Sequence, residues 1–294
     1  MKPSLKKNDL HPVERKAFSF FPGCSLKASG HENTLSLRNF CDQVNIDLIE
    51  LDDWNCCGSS SAHSIDAGAA DRLPMRNIAL APKGQPLLIA CPSCLIRTKT
   101  IYLKIKKDPE LRESYERMWE TPFDKDLEII HFFDLFERIR VQDFIKDAAS
   151  RLKGLKVSVY YGCMLSRPPD FRFETLMDTQ IMEKNLSRLG AQIIPFGYGK
   201  QCCGTYLSAA KPKLAEKVVN QIISKAVAAG AECLVTACSM CHLNLEIRST
   251  AANPIPVFHF SELLALALGV GDHTKWFPRH IVDPAPLLKD RHLI

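Results

Sequence analysis

The sequence predicts an α/β protein made of two similar halves, each a small, mostly parallel sheet flanked by helices, related by an approximate two-fold. Three observations predict it: a five-cysteine motif that occurs twice, short apolar strands alternating with helical stretches in each half, and a cysteine group placed just after a strand each time.

In the first half, Ala17 to Phe21, Ile46 to Leu51 and Leu87 to Ala90 read as strands, and in the second Val157 to Tyr161, Gln192 to Phe196 and Cys233 to Ala237 match them. A fourth strand per half fits near Glu128 to His131 and Pro256 to His259. Helical stretches lie between, such as Phe173 to Leu189, closed by Gly190, and Lys213 to Ala229, closed by Gly230, with Leu214, Val218 and Ile222 at four-residue spacing. The chain divides into residues 1–152 and residues 153–294, the latter with a C-terminal tail, joined near Ser150 to Gly154.

The motif begins with Cys24, followed after 31 residues by the pair Cys56 and Cys57, and after 33 more by Cys91-Pro-Ser-Cys94. It recurs as Cys163, 38 residues, Cys202 and Cys203, 34 residues, and Cys238-Ser-Met-Cys241. Both lone cysteines follow glycine (Gly23, Gly162), and both pairs precede glycine (Gly58, Gly204). Ligands of parallel sheets gather at the carboxyl ends of strands, so three strand ends present five sulfurs to one crevice in each half. The remaining cysteines, Cys41 and Cys233, fall outside the repeat and read as buried small apolar residues.

Composition narrows the chemistry. With 294 residues, 46% hydrophobic and 24% charged, the chain is that of a folded globular protein. Its formal charge of +5 is modest and its signs are mixed; Lys2, Lys6, Lys7 and the run from Arg97 to Arg117 read as solvated surface rather than a nucleic-acid site. The first thirty residues are charged and broken by Pro3, Pro12 and Pro22, unlike a signal peptide, and no stretch approaches the ~20 apolar residues of a membrane span. A cytoplasmic location follows as an expectation, and twelve cysteines there serve metal or redox chemistry rather than a disulfide framework.

Zinc is the first rival, but a structural zinc takes four ligands, and a fifth cysteine placed the same way twice is surplus to it. A disulfide within either adjacent pair is strained, because neighbouring α-carbons lie only about 3.8 Å apart. An ordinary iron–sulfur cubane also takes four cysteines. Five leave two options: one exchangeable thiolate, or a cluster distorted enough to use all five.

Phe21-Pro-Gly-Cys-Ser-Leu-Lys27, Asp53-Trp-Asn-Cys-Cys-Gly58 and Ala62-His-Ser64, within the twice-given pattern, resemble the cysteine-rich CCG domains of the heterodisulfide reductase B-subunit family, from Phe18 to about Leu268. The resemblance implies two noncubane [4Fe-4S] clusters. Their ligands would be Cys24, Cys56, Cys57, Cys91 and Cys94, and Cys163, Cys202, Cys203, Cys238 and Cys241. It implies a cleft between the clusters where a disulfide is cleaved, fed by a ferredoxin-type iron–sulfur protein with ordinary cubanes and by a flavin-containing protein behind it.

Such chemistry is intelligible in itself: two clusters flanking one substrate can each hold one departing sulfur, with iron as Lewis acid. His63 and His242 are candidates for hydrogen bonding or proton delivery beside the clusters, against the plainer reading of packed or surface histidines. Lys27 and Lys200 could offset thiolate charge, or simply be exposed. A ferredoxin-type C-x-x-C-x-x-C run, GxGxxG and GxxxxGK[ST] are absent, so electrons come from a partner. The favoured expectation is an oxidoreductase component acting on a disulfide or other sulfur substrate. The alternatives are an electron-transfer component of another complex, of lactate-utilisation type, and a structural zinc module.

Overall fold

The computed structural model describes residues 15–59, 61–139, 141–145, 148–166 and 180–294. Lys2, Lys6, Lys7, Pro3, Pro12 and the first part of the helix expected from Phe173 lie outside them. In chain order the first half runs β1 (Lys16–Phe21), α1 (Gly23–Lys27), α2 (His31–Gln43), β2 (Ile46–Glu50), α3 (Ala62–Ile65), α4 (Ala67–Ala79), β3 (Leu87–Ile89), α5 (Pro92–Lys107), α6 (Pro109–Trp119), β4 (Ile129–His131), α7 (Asp134–Arg138) and α8 (Val141–Ile145). The second runs β5 (Lys156–Tyr160), α9 (Gly162–Ser166), α10 (Ile181–Arg188), β6 (Gln192–Ile193), α11 (Pro212–Ala228), β7 (Cys233–Thr236), α12 (Ser239–Ile247), β8 (Val257–His259), α13 (Phe260–Leu268) and α14 (Ala285–Asp290).

Each half holds one four-stranded sheet in the same order, β2-β1-β3-β4 and β6-β5-β7-β8, and every strand pair is parallel. The expectation of two similar parallel α/β units is met. The apolar strands β3 and β7 are buried along their whole length, as inner strands covered by helices on both faces must be. The order reverses direction between β1 and β3, and between β5 and β7, which opens a crevice at their carboxyl ends.

Two details differ from the sequence reading. β6 has two residues rather than five, because Pro195 lacks the N–H that the ladder needs, and pairing stops once Ile194 N–H reaches the Val157 carbonyl. On α11 the buried stripe is Ala215, Val219, Ile222, Ile223 and Ala226, while Leu214 is exposed. The packed face is thus turned by one position from the Leu214–Val218–Ile222 line. The basic run on α5 and α6 lies over a buried apolar side, Ile101, Tyr102 and Ile105, and Arg97 and Lys104 both pair with Asp71.

The halves meet through aromatic rings at the ends of β4 and β8. Phe260 contacts Phe132, Phe133 and Phe136 at centroid distances of 6.3, 5.8 and 5.5 Å, and Phe133 also meets Tyr161 at 6.5 Å. Such pairs contribute about 0.5–1.5 kcal/mol each beyond their burial. Beside them Ser36 of α2 and Ser261 of α13 share a buried hydrogen bond of 2.7 Å. One continuous apolar core therefore runs through both sheets, which fixes the two strand-end crevices against each other.

Candidate metal centre

The lone cysteines and the C-x-x-C elements stand where a strand hands over to a helix, and the Cys-Cys pairs lie in the loops that follow β2 and β6. Cys24 opens α1 after β1, Cys91 caps α5 after β3, and Cys94 lies in the first turn of α5. The second half repeats this with Cys163 in α9 and Cys238 and Cys241 at the start of α12, where Cys238 Sγ accepts a hydrogen bond from Cys241 N–H at 3.4 Å. Unpaired amides and the positive end of the helix dipole thus face sulfur, which favours thiolates.

The five sulfurs of each set converge. Cys24 and Cys56 Sγ lie 3.6 Å apart and Cys57 and Cys94 Sγ 3.1 Å apart, and Cys94 also bonds Cys91. In the second set Cys203 and Cys241 Sγ are 3.4 Å apart, Cys163 bonds Cys202, and Cys241 bonds Cys238. The glycine after each pair donates its N–H back to the first thiol of that pair, Gly58 to Cys56 at 3.5 Å and Gly204 to Cys202 at 3.4 Å.

Such crowding splits the thiols. Hydrogen bonds from Cys24 and Cys57 hold Cys56 well below the ordinary thiol range, and that from Cys94 brings Cys91 down to about 7. Cys203 is likewise lowered to about 7 by Cys241, whereas Cys94 and Cys241 are pushed far up by their sulfur neighbours. Five such groups can ionise together only around strong positive charge. A thiolate-only donor set with this density fits iron–sulfur ligation. Each set has a buried floor (Cys57, Cys91 and Cys94; Cys203, Cys238 and Cys241) and an open rim, with Cys24, Cys56 and Cys202 exposed and Cys163 half-buried.

Cys41 and Cys233 are buried away from the sets, in α2 and β7, and their thiols are pushed up by burial, as small core residues. His63 is exposed on α3. Lys27 pairs with Glu50 at 2.7 Å rather than with sulfur, and Lys200 is exposed. His242 is buried on α12, and neither ring nitrogen has a hydrogen-bond partner.

Sequence reasoning missed the residues that tie the sets together. Tyr206, after the second Cys-Cys-Gly, reaches Ser93 Oγ of the first set at 3.4 Å and lies in the field of both Cys91 and Cys238. Reciprocally, the buried Ser239 hydroxyl of the second set lies beside Cys91 and favours its thiolate, without closing a full hydrogen bond. The serines inside the two C-x-x-C elements therefore cross over, each lying at the other half's site.

Also missed were His131 and His259, each at the end of a fourth strand. Phe133 N–H donates to His131 Nδ1 at 3.3 Å, which leaves Nε2–H to donate to the Ala90 carbonyl at 3.2 Å, just before Cys91. His259 faces the carbonyl of Ala237, just before Cys238. The signal was present as a second repeat, His131-Phe-Phe-Asp134 and His259-Phe-Ser-Glu262, in which the acid accepts from the histidine N–H at 2.6 and 2.7 Å.

Burial lowers His131 to about 4. A histidine with a depressed folded pKa gives stability that is whole above its unfolded value of about 6.5 and is lost as pH falls from there toward 4. The midpoint of thermal unfolding is expected to fall across that window, and His131→Asn, which keeps an acceptor near Nδ1 but cannot protonate, is expected to flatten the fall.

A duplicated, thiol-rich α/β fold with two facing five-sulfur crevices defines a class, that of cysteine-rich redox proteins. The chain belongs to the CCG cysteine-rich domain family, whose model matches twice, at residues 18–98 and 157–246, and it is of the two-domain kind found in the B subunits of heterodisulfide reductases. It is 29% identical over 283 residues to the 8-methylmenaquinol:fumarate reductase membrane anchor subunit of Wolinella succinogenes, covering 93% of this chain and 99% of that one. It is 26% identical over 270 residues to the B subunit of the ferredoxin/F420H2-dependent CoB-CoM heterodisulfide reductase of Methanosarcina acetivorans, covering 85% of this chain and 89% of that one. Among solved structures, a hypothetical protein from Helicobacter pylori shares the fold with a TM-score of 0.71 at 12% identity. The match covers 92% of this chain, which spans about half (53%) of the length of that one. Among the described residues, no helix is long and apolar enough to cross a membrane.

Proposed function

We propose that this chain is the catalytic iron–sulfur component of a cytoplasmic heterodisulfide-reductase-like complex. In this reading it reduces or forms a disulfide or related sulfur substrate at two noncubane [4Fe-4S] clusters. The observation that carries the reading is the pairing of two five-sulfur sets, each with a buried floor and an exposed rim, across the Ser93–Tyr206 contact. The ligands would be Cys24, Cys56, Cys57, Cys91 and Cys94 in one set and Cys163, Cys202, Cys203, Cys238 and Cys241 in the other. When bound, the clusters supply electrons one at a time and Lewis acidity toward sulfur.

The chain's own residues supply the rest. The amide-rich starts of α5 and α12 favour thiolates, and Ser93, Ser239 and Tyr206 lie between the sets. Electrons would come from a ferredoxin-type iron–sulfur protein and, through it, a flavin-containing one, since the sequence holds no nucleotide or flavin motif.

The similarity to a fumarate reductase component favours a second reading, an electron-transfer protein with no substrate of its own. Anaerobic isolation with iron and sulfide counts, followed by assay of candidate disulfides and persulfides with a reduced dye, separates the two. Thiol release is expected from the iron-loaded protein. Dye oxidation by the clusters without release of thiol from any candidate would favour the second reading, and stoichiometric zinc without sulfide would overturn both.

A further inference from the structure

Apart from the ten sulfurs, the described residues gather one further group of metal-binding side chains, His242, Glu262 and His280, whose nearest ligand atoms lie within 4.8 Å of one another. All three are buried, and so are Glu246 and Glu32 beside them. They come from four separate places: Glu32 on α2 of the first half, His242 and Glu246 one turn apart on α12, Glu262 on α13, and His280 before α14.

The carboxylates are arranged alike. Each has one oxygen held and the other turned inward. Glu262 Oε2 accepts from His259 N–H at 2.7 Å, Glu246 Oε2 from Ile281 N–H at 3.1 Å, and Glu32 Oε2 from the Arg279 guanidinium at 2.9 Å. Their free oxygens surround two imidazoles: Glu262 Oε1 lies 2.9 Å from His280 Nε2, and Glu246 Oε1 lies 3.0 Å from His280 Nδ1 and 3.9 Å from His242 Nε2. Glu32 Oε1 lies 3.8 Å from His242 Nδ1. Anchoring of a ligand's second atom by the backbone is how metal sites orient their carboxylates.

Two facts point to a ligand. His242 is 2% exposed, yet both its ring nitrogens lack a hydrogen-bond partner, an expensive arrangement for a buried polar group. Among the described residues, the three buried carboxylates also face one guanidinium, Arg279, and one imidazole that two of them hold protonated, His280, so the group still carries one uncompensated negative charge.

We propose that His242, Glu262 and His280 bind one divalent cation, zinc by its ligand set, at a buried site separate from the cysteine crevices. Two imidazoles and one carboxylate are borderline ligands that, with a fourth oxygen, suit tetrahedral zinc at about 2.0–2.1 Å. Glu246 Oε1 accepts from His280 Nδ1–H and orients the ring, and the ion would replace the Nε2 proton that His280 otherwise gives to Glu262. The ion would lock α12, which carries Cys241 behind its cap Cys238, to α13 and the C-terminal segment.

The test is metal analysis and zinc X-ray absorption on the full chain, purified anaerobically with its iron. About one zinc per chain is expected, with a nitrogen/oxygen shell at about 2.0–2.1 Å and no sulfur shell near 2.3 Å. His280→Gln and Glu262→Gln should each lose that zinc while keeping iron, sulfide and the visible spectrum. Absence of stoichiometric zinc, zinc with a sulfur shell, or zinc retained in both variants would overturn the site. Should either variant fail to fold, the absorption spectrum of the unaltered protein decides alone.

Discussion

Cys203→Ala is expected to change the electronic spectrum of the second centre and leave the first intact. Cys203 is at the buried floor of its set, 3.4 Å from Cys241 Sγ and 2.9 Å from the Thr205 hydroxyl, and its main-chain carbonyl accepts from Asn244. Its removal takes one sulfur from a set of five and leaves the main-chain hydrogen bond that holds its loop. If all five ligate, up to half of the bound iron should be lost or should shift to the signature of a four-cysteine cluster, as read by iron and sulfide counts and low-temperature magnetic spectra. An unchanged second-centre spectrum would contradict five-cysteine ligation. Cys57→Ala should do the mirror image, and the pair of variants assigns each signal to its half.

Gly23→Ala is expected to empty the first centre while sparing the second. Gly23 has φ of +73°, and a β-carbon added there would lie 2.8 Å from Cys94 Sγ, closer than such atoms approach. The left-handed backbone alone costs about 1–2 kcal/mol for an alanine. The larger effect is displacement of Cys94, a buried thiol with no room to retreat. Gly84→Ala is the control, since Gly84 has nearly the same φ, +75°, but nothing within 4 Å of an added β-carbon. Both variants should lose comparable backbone stability in denaturant titrations, and only Gly23→Ala should lose about half the iron. Equal iron in the two would mean that Cys94 is not held at that position by the glycine.

Much of this arrangement was legible because it is local and repeated. Cysteines grouped behind apolar strands declare both the sheet and the edge at which the sulfurs gather, and the doubling of the pattern makes accident a poor explanation. The residues that escaped notice act over long distances in the chain. Ser93, Ser239 and Tyr206 take their significance from how the two halves are set against each other, a geometry decided by Phe132, Phe133, Phe136 and Phe260. The His242 group draws on Glu32 from the first half and His280 near the end of the chain, which no local pattern connects. On α11, four-residue spacing marked apolar positions without revealing which side faced the sheet, because Ala215 and Ala226, buried but small, carry little weight in such a pattern. β6 ended early for a reason the sequence did state, the proline at 195.

The serine exchange between the C-x-x-C elements makes the doubled protein handed. Ser93 is the second residue of its intervening pair and Ser239 the first, and Met240 stands where Ser93 would have its counterpart. A phenol, Tyr206, follows one Cys-Cys-Gly, where the other is followed by Ser59 and a serine run. An otherwise symmetric molecule entering between the crevices would meet a ring and a thioether on one side and a hydroxyl on the other. Although built by repetition, the protein has a front and a back, and a guest must arrive facing one of them.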